Sequence, residues 1–223
     1  MTQITLSEIS KTYTIKHKPV TALSNINFTV NNSAFLVLTG PSGSGKSTIL
    51  QLISGIEQPT SGQIIIDGQN ITKMTNSELT TFRRKKVGII FQQFYLEPTL
   101  TLRQNIELPA IFFNLSPEER NQRTKELANL MGLSEHLDHL PSQLSGGQIQ
   151  RAAVARAIYN KPSILIADEP TSNLDHDNIH TVINLFKQIQ QTYGTTIIIA
   201  AHDQTIANEA TQVIKLDAGR IVI

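Results

Sequence analysis

A short glycine-rich segment places strict demands on the fold around it. The segment fits the pattern G-x-x-x-x-G-K-[ST] from Gly40 to Ser47, with an apolar strand-like run at 34–38 before it and a helix-like run at 48–53 after it. Glycines allow backbone N–H groups to point at phosphate oxygens, and a helix N-terminus adds partial positive charge there. A nucleotide is therefore the expected ligand, bound by Gly40, Pro41, Ser42, Gly43, Ser44, Gly45, Lys46, Ser47 and Thr48.

Two side chains of this segment have expected roles beside the phosphates. Lys46 would reach the outer phosphates, and the Ser47 hydroxyl would bind Mg²⁺. A glycine-rich surface turn that matches the pattern by chance is the alternative, and the strand before the segment and the helix after it disfavour that alternative.

Length and composition narrow the possible classes of protein. The chain has 223 residues, a formal net charge of +1 and 17% charged residues, so no overall field attracts nucleic acid or anionic lipid. The absence of cysteine excludes disulfides and thiolate catalysis. The first ten residues lack a signal-peptide pattern, and no apolar run approaches the ~20 residues that span a bilayer. We expect one soluble, cytoplasmic α/β domain with a helical insertion and no nucleic-acid partner.

The periodicity of apolar residues changes twice along the chain. Residues 2–30 alternate apolar and polar positions, which predicts antiparallel strands. A short helix is predicted from Asn76 to Phe82, with Asn76 or Ser77 as its cap. The basic run 83–86 next to a short strand favours a solvated edge over a nucleic-acid or lipid contact. From residue 101 the spacing is helical, and a capping residue at Ser116 precedes a proline.

Paired carboxylates end a short apolar strand. The run 163–167 is typical of a strand buried in a parallel sheet, and Asp168 and Glu169 follow it. In a P-loop fold Asp168 would help to hold Mg²⁺, while Glu169 would orient or deprotonate the attacking water. His202 ends the strand at 195–201, where open α/β sheets bind ligands, although a lone histidine at a strand end is usually structural or exposed.

A further glycine-bearing helix start, residues 144–148, carries a family resemblance. Its sequence LSGGQ matches the signature motif of the ATP-binding cassette (ABC) ATPases letter for letter. The chain is identified as a member of that family over essentially its full length. The resemblance implies an α/β P-loop NTPase fold of the ABC ATPase type across 1–223. About 1–95 and 160–223 would form a mainly parallel core sheet with an antiparallel β subdomain, and about 96–159 a helical subdomain.

The same resemblance implies roles for residues outside the glycine-rich segment. Tyr13, which by itself indicates packing more often than ligand binding, would stack on adenine. Gln92 would act in catalysis and help to bind Mg²⁺, and His202 would contact the γ-phosphate. Two copies would dimerise head to tail, each ATP lying between the glycine-rich segment of one copy and the signature motif of the other. The signature residues are Ser145, Gly146, Gly147 and Gln148, and the D-loop residues are Asn173, Leu174 and Asp175.

The sequences of residues 82–94 and 105–109 carry a narrower resemblance. This narrower resemblance is to the lipoprotein-release, macrolide-efflux and bacitracin-resistance group of ABC ATPases (LolD, MacB and relatives). It implies a separate FtsX-like membrane permease as partner, a peripheral place on the inner face of the membrane, and amphipathic cargo. Three alternatives remain open: an FtsE-like regulatory ATPase of envelope or division machinery, a soluble ABC protein of chromosomes, DNA repair or ribosomes, and a P-loop kinase. The last two are disfavoured by the lack of a coiled-coil insertion or second cassette and by the signature motif.

Overall fold

The computed structural model describes residues 1–171, 176–202 and 204–222. The strands are β1 (Thr2–Ile15), β2 (Lys18–Asn31), β3 (Phe35–Thr39), β4 (Ser61–Ile66), β5 (Gln69–Asn70), β6 (Val87–Ile90), β7 (Ile164–Asp168), β8 (Thr196–Ala200), β9 (Gln212–Asp217) and β10 (Arg220–Val222). The α-helices are α1 (Lys46–Ile53), α2 (Asn76–Lys86), α3 (Leu102–Glu107), α4 (Pro117–Leu130), α5 (Gly146–Ala157), α6 (His176–Tyr193) and α7 (Gln204–Asn208). Short 3₁₀ helices are Ile71–Lys73, Leu108–Phe112, Ser134–His136 and Pro141–Gln143.

The first sheet is antiparallel and contains the N-terminal strands. Its order in the described residues is β2-β1-β4-β5, and β1 pairs with both β2 and β4. The alternation in the sequence is realised here, since Ile4, Leu6 and Ile26 are buried while many residues between the apolar positions are more exposed. The prediction of antiparallel strands before the glycine-rich segment is confirmed.

The second sheet holds the glycine-rich segment and the carboxylates. Its order in the described chain is β10-β9-β3-β8-β7-β6, with parallel pairing from β9 to β6 and β10 antiparallel to β9. The strands β3, β7 and β8 each contain a run of at least four consecutive apolar residues, as is typical of strands in a parallel sheet that is covered on both faces. The predicted parallel strand before Asp168 is confirmed.

Two apolar cores lie on the two faces of the second sheet. Leu36 and Leu38 of β3 pack with α1 and the first sheet. Phe35 and Val37 alternate with them and pack with residues of α3, α4, α5 and α6. Because side chains alternate between the two faces of β3, this strand packs against both layers of the molecule. Contacts on both faces therefore hold β3, the strand that leads into the glycine-rich segment, in place.

Residues 96–159 run between β6 and β7 and form helices, with no strand among them. Ser116 caps α4 as predicted: its hydroxyl accepts the Glu119 N–H, and the Glu119 carboxylate accepts the Ser116 N–H. In the described part of the chain, no helix has both the length and the apolar character needed to cross a membrane.

The helix predicted from Asn76 to Phe82 is longer and has a different cap. Thr75 is the N-cap in a capping box with Glu78, so the prediction of Asn76 or Ser77 was wrong. The helix continues to Lys86, and the basic run therefore forms its last turn, where cations face the negative end of the helix dipole. Lys86 also contacts Asp67 at 2.9 Å.

Candidate functional site

Four neighbouring parallel strands end at one edge of the second sheet. The register pairs Leu38 of β3 with Ala200 of β8, Ala200 with Asp168 of β7, and Ala167 with Ile90 of β6. The strands lead in turn into the glycine-rich segment, His202, the Asp168–Glu169 pair and Gln92. The predicted phosphate-binding and catalytic residues of the core sheet therefore follow neighbouring strand ends, where open α/β sheets bind ligands.

Atoms of two other strands lie very close to the glycine-rich segment. A Cβ atom at Gly40 would lie 2.1 Å from the Leu216 carbonyl oxygen of β9, and one at Gly45 would lie 2.5 Å from Leu23 Cδ2 of β2. Both glycines also have a positive φ, 141° at Gly40 and 104° at Gly45. Both the close contacts and the positive φ exclude side chains at these two positions. The backbone of the segment is therefore confined to a narrow range of conformations.

Two polar residues of the segment, Ser44 and Lys46, are buried. Lys46 is 5% exposed, and its Nζ donates to the carbonyl oxygens of Gly40 (2.9 Å) and Pro41 (3.0 Å). The buried Ser44 hydroxyl has no hydrogen-bond partner within the described residues. A buried hydroxyl without a partner is costly, so this atom is suited to a polar ligand.

Asp168 lies beside a hydroxyl and several charged groups, as expected for a carboxylate that binds a cation. Burial raises the pKa of its carboxyl above the ordinary value, and the Glu169 carboxylate adds to that shift. A hydrogen bond with Ser47 and the positive charges of Lys46 and His202 act in the opposite direction. A partly buried carboxylate beside a hydroxyl provides the hard oxygen ligands that Mg²⁺ prefers.

Glu169 is held in an unusual backbone conformation and contacts His202. Its φ is 48°, in the left-handed region, and its N–H donates to the Ala200 carbonyl at 2.9 Å. The Oε1 atom lies 2.5 Å from His202 Nε2. Strained backbone of this kind is concentrated at functional sites. The two side chains predicted to act at the γ-phosphate are thus brought into direct contact.

A cavity of 180 Å³ lies beside the segment, and its lining fits a phosphate chain with a hard cation. The lining combines backbone amides, an ammonium group, hydroxyls and a carboxylate. In this cavity Lys46 would face the phosphates, and Ser47, together with Asp168 to which it is hydrogen-bonded, would hold Mg²⁺. Its lining residues are Ala22, Ser42, Gly43, Gly45, Lys46, Ser47, Thr48 and Glu169.

Tyr13 contacts helix α1, and Gln92 follows β6, the strand that pairs with β7. The Tyr13 hydroxyl is 3.5 Å from Gln51 Oε1 on α1, the helix that begins at the segment. The Lys11 ammonium lies 4.8 Å from the centroid of the Tyr13 ring. Gln92 is exposed directly after β6.

The signature motif forms a separate helix start. Ser145 is the N-cap of α5: its hydroxyl accepts the Gln148 N–H, and the Gln148 side chain accepts the Ser145 N–H. Ser145 and Gly146 are exposed, and none of the four signature residues lines the 180 Å³ cavity. The predicted D-loop residues Asn173, Leu174 and Asp175 lie outside the described residues.

Sequence reasoning missed several residues that join these parts. Arg156 of α5 donates to the carbonyl oxygens of Phe94 and Tyr95, at 2.7 Å each, just after Gln92. Ile111 and Phe112 are 71% and 63% exposed. Their exposure was detectable in principle, because Leu102, Ile106 and Ala110 already define the buried face at four-residue spacing. The contacts of Arg156 carried no local signal.

The fold and the site together define a P-loop nucleotide-binding ATPase. The family pattern described as ABC transporter matches residues 23–172. An ABC transporter ATP-binding protein of Methanocaldococcus jannaschii, MJ0796, is 40% identical over 222 residues, 98% of this chain and 94% of that protein. YvrO of Bacillus subtilis, also an ABC transporter ATP-binding protein, is 40% identical, with 99% and 96% covered.

A solved structure and a longer relative extend the comparison. The dimeric post-hydrolysis structure of the ATP-binding cassette MJ0796 bound to ADP and Pi superposes with a TM-score of 0.91 at 38% identity, covering 99% of this chain and 97% of that one. The macrolide export ATP-binding/permease protein MacB of Syntrophobacter fumaroxidans is 39% identical over 99% of this chain but only 31% of its own length. The chain belongs to the ABC transporter family, as one of its ATP-hydrolysing nucleotide-binding domains, and the predicted family and fold class are confirmed.

Proposed function

We propose that this chain is the ATPase subunit that drives a separate FtsX-like membrane permease, which exports or extracts amphipathic cargo such as lipoproteins, peptides or drug-like molecules. It acts at the inner face of the cell membrane, on the cytoplasmic side, as a homodimer around two ATP. The observation that carries the proposal is that the chain has both a polar cavity beside the glycine-rich segment and a separate apolar groove. The MacB relatives are named as macrolide export ATP-binding/permease proteins, which supports a membrane partner for this chain.

In the proposed reaction each residue near the cavity has one task. Lys46 and the backbone amides of the glycine-rich segment bind the phosphates, and Tyr13 stacks on adenine. Mg²⁺, held by Ser47, Asp168 and Gln92, would supply positive charge to the phosphate oxygens. Glu169 orients the attacking water and accepts its proton, while the His202 contact at 2.5 Å fixes the Glu169 carboxylate and places a donor near the γ-phosphate.

The dimer follows from the separation of the two glycine-bearing helix starts. Because Ser145 and its neighbours do not line the cavity of their own chain, they are available to the ATP of a second copy. The Ser145 hydroxyl, Gly146, Gly147 and Gln148 would close that site from the other side, with the N-terminus of α5 directed at the γ-phosphate. The dimeric structures of the cassette MJ0796 support this arrangement. Hydrolysis breaks the bond between the β- and γ-phosphates, and the later release of phosphate would remove the bridging charge and let the two copies separate.

The groove is the surface proposed to receive the permease. It has a volume of 780 Å³ and lies between α2, β6 and the 3₁₀ helix at 108–112. Such a concentration of exposed apolar side chains marks an interaction surface. Arginines from α2 and α5 border it, so an amphipathic segment with acidic residues is the expected occupant. The exposed apolar side chains are Phe91, Tyr95, Ile111 and Phe112.

Arg156 connects this groove with both parts of the ATP site. Its guanidinium lines the groove and binds the carbonyls of Phe94 and Tyr95, which follow Gln92. The same residue belongs to α5, which begins with the signature motif. A permease segment bound in the groove would therefore be displaced when Gln92 or α5 moves. In this way a conformational change caused by ATP hydrolysis would be transmitted to the permease.

The ATPase half of the proposal is tested with Glu169→Gln. Loss of the general base should lower kcat about 100-fold or more while ATP binding is kept, and the variant should remain an ATP-bound dimer. Phosphate release and size-exclusion light scattering with ATP measure the two effects. Glu118→Gln, an exposed acid in the first turn of α4, is the matched control. Rapid hydrolysis by the Glu169 variant would refute the role of Glu169.

The permease half is tested by purifying the tagged chain from mild-detergent extracts of its native cells. A stoichiometric FtsX-like permease should co-purify, and Phe112→Asp should remove it. Val213→Asp, at an exposed apolar residue outside the groove, should leave it in place. Division proteins would instead favour the regulatory alternative. Ribosomal or chromosomal proteins without a permease would overturn the transporter function and leave the ATPase chemistry.

A further inference from the structure

The side chain of Gln148 lies between the start of α5 and a histidine on a neighbouring segment. Its Oε1 accepts the Ser145 N–H at 2.8 Å, which closes the capping box. Its Nε2 lies 2.8 Å from Nε2 of His136, at the end of the 3₁₀ helix Ser134–His136. One amide group therefore joins the cap of the signature helix to a titratable ring.

Counting donors and acceptors fixes the state of His136 that allows both bonds. The amide nitrogen of Gln148 is a donor only, so the Nε2 atom of His136 must accept, which requires a neutral ring with its proton on Nδ1. A protonated ring is a donor at both nitrogens and would face the amide donor. Turning the amide over would restore that bond, but it would place NH₂ against the Ser145 N–H and break the capping box. Protonation of His136 would therefore break one of the two hydrogen bonds of the Gln148 side chain.

We propose that His136 is a positioning residue for the signature motif, and that its neutral form holds Ser145 in the geometry that receives the ATP of a partner copy. Protonation then loosens the α5 cap and weakens the nucleotide-bound dimer. The inference rests on the proposed function, in which Ser145 contacts that ATP. Histidine is suited to such a task, because its charge changes between about pH 5 and 8.

Other titratable and charged groups lie on the segments around the pair. The ring of His139 is edge-on to His136, with centroids 5.3 Å apart, and its buried Nδ1 has no hydrogen-bond partner in the part of the chain that is described. Arg151 of α5 donates to the Met131 carbonyl at 2.9 Å. Arg103 of α3 lies 3.7 Å from Asp138, and Glu135 precedes His136 in the chain. These groups are the same in the wild type and in the His136 variants, and the second histidine, His139, is tested by a variant of its own.

The local step is measured by NMR on the nucleotide-free protein. The ¹⁵N–¹H signal of Ser145 should move as the pH falls from about 8 to about 6 in the wild type. His136→Gln keeps an acceptor near the position of Nε2 but cannot be protonated, and it should abolish that movement. His139→Gln, the same change three residues along, should retain it. A Ser145 signal that does not move in the wild type, or that moves equally in His136→Gln, would overturn the inference.

The functional step is measured as ATP-dependent dimerisation in the Glu169→Gln background. Lowering the pH from about 8 to about 6 should weaken the dimer about fivefold more when His136 is present than in His136→Gln, the size of one or two lost hydrogen bonds. His136→Leu, which removes the acceptor, should be weakened at both pH values. Titration of Ser145 with an unchanged dimer would overturn the functional half of the inference. Absence of any ATP-dependent dimer would instead refute the proposed function.

Discussion

The two glycine-bearing helix starts of this chain are built in opposite ways. At the start of α1 the N-cap is Gly45, with a φ of 104°, and no side chain caps the helix. At the start of α5 the N-cap is Ser145, which forms a capping box with Gln148. The first start is enclosed by Ala22 and Leu23 of β2, whereas the space around Gly146 in the second is open.

The difference shows two routes to the same chemistry of anion binding. At α1 the backbone itself is shaped by glycines, so that N–H groups left without side-chain caps can bind phosphate directly. At α5 the backbone is ordinary, and a hydroxyl held by its neighbour is presented on the surface. The enclosed start suits a ligand bound by one chain, and the open start suits a ligand that arrives on another molecule.

The same substitution at each start separates these routes. Gly45→Ala would place Cβ 2.5 Å from Leu23 Cδ2 and 2.9 Å from the Ala22 carbonyl, in a left-handed conformation. We expect a loss of about 3 kcal/mol in the free energy of unfolding, together with loss of ATP binding. Gly146→Ala meets no atom within 4 Å and should change stability by less than about 0.5 kcal/mol.

Urea unfolding without nucleotide and fluorescent ATP binding to the monomer measure both variants. The Gly146 variant should retain ATP binding in the monomer, because that residue does not line the cavity of its own chain. Equal losses of stability in the two variants would mean that enclosure by β2 does not matter.

Local sequence patterns were sufficient where neighbouring residues decide the structure. The strand, glycine-rich loop and helix at 34–53 were predicted because each part depends on its own residues. The Ser116 cap was predicted from the proline and acids that follow it. The Thr75 cap was missed although the sequence carries its capping box, since Asn76 and Ser77 are equally good cap residues next to it.

Contacts between distant segments could not be predicted in the same way. Arg156 binds carbonyl groups about sixty residues earlier, and backbone carbonyls carry no mark in a sequence. The contact of His136 with Gln148 depends on how a short 3₁₀ helix meets α5. The contact between Glu169 and His202 could be predicted only from the rule that the carboxyl ends of parallel strands lie at the same edge of a sheet.

The last comparison concerns two capped helices whose geometry is nearly the same. Ser145 and Ser116 each accept an N–H three residues on, at 3.3 and 3.2 Å, and each donates its own N–H to that residue's side chain. Replacing either serine by alanine should cost about 1 kcal/mol of unfolding free energy at neutral pH. Ser145→Ala should also weaken the ATP-bound dimer in the Glu169→Gln background, whereas Ser116→Ala should leave the dimer unchanged.

The pH of this measurement matters because the two boxes are closed by different side chains. Backbone and hydroxyl hydrogen bonds from Ser116 lower the pKa of Glu119, so the stability from that box is present above the ordinary pKa of glutamate and is lost as the pH falls through the lowered value. Gln148 does not titrate, and in the proposal above the Ser145 box responds to pH through the contact of Gln148 with His136. The comparison is therefore made at about pH 8, where both boxes are expected to be closed, and a selective loss of the dimer in Ser145→Ala would show that Ser145, and not helix capping in general, supports the dimer. Equal dimerisation by the two variants would show that Ser145 serves only to cap α5.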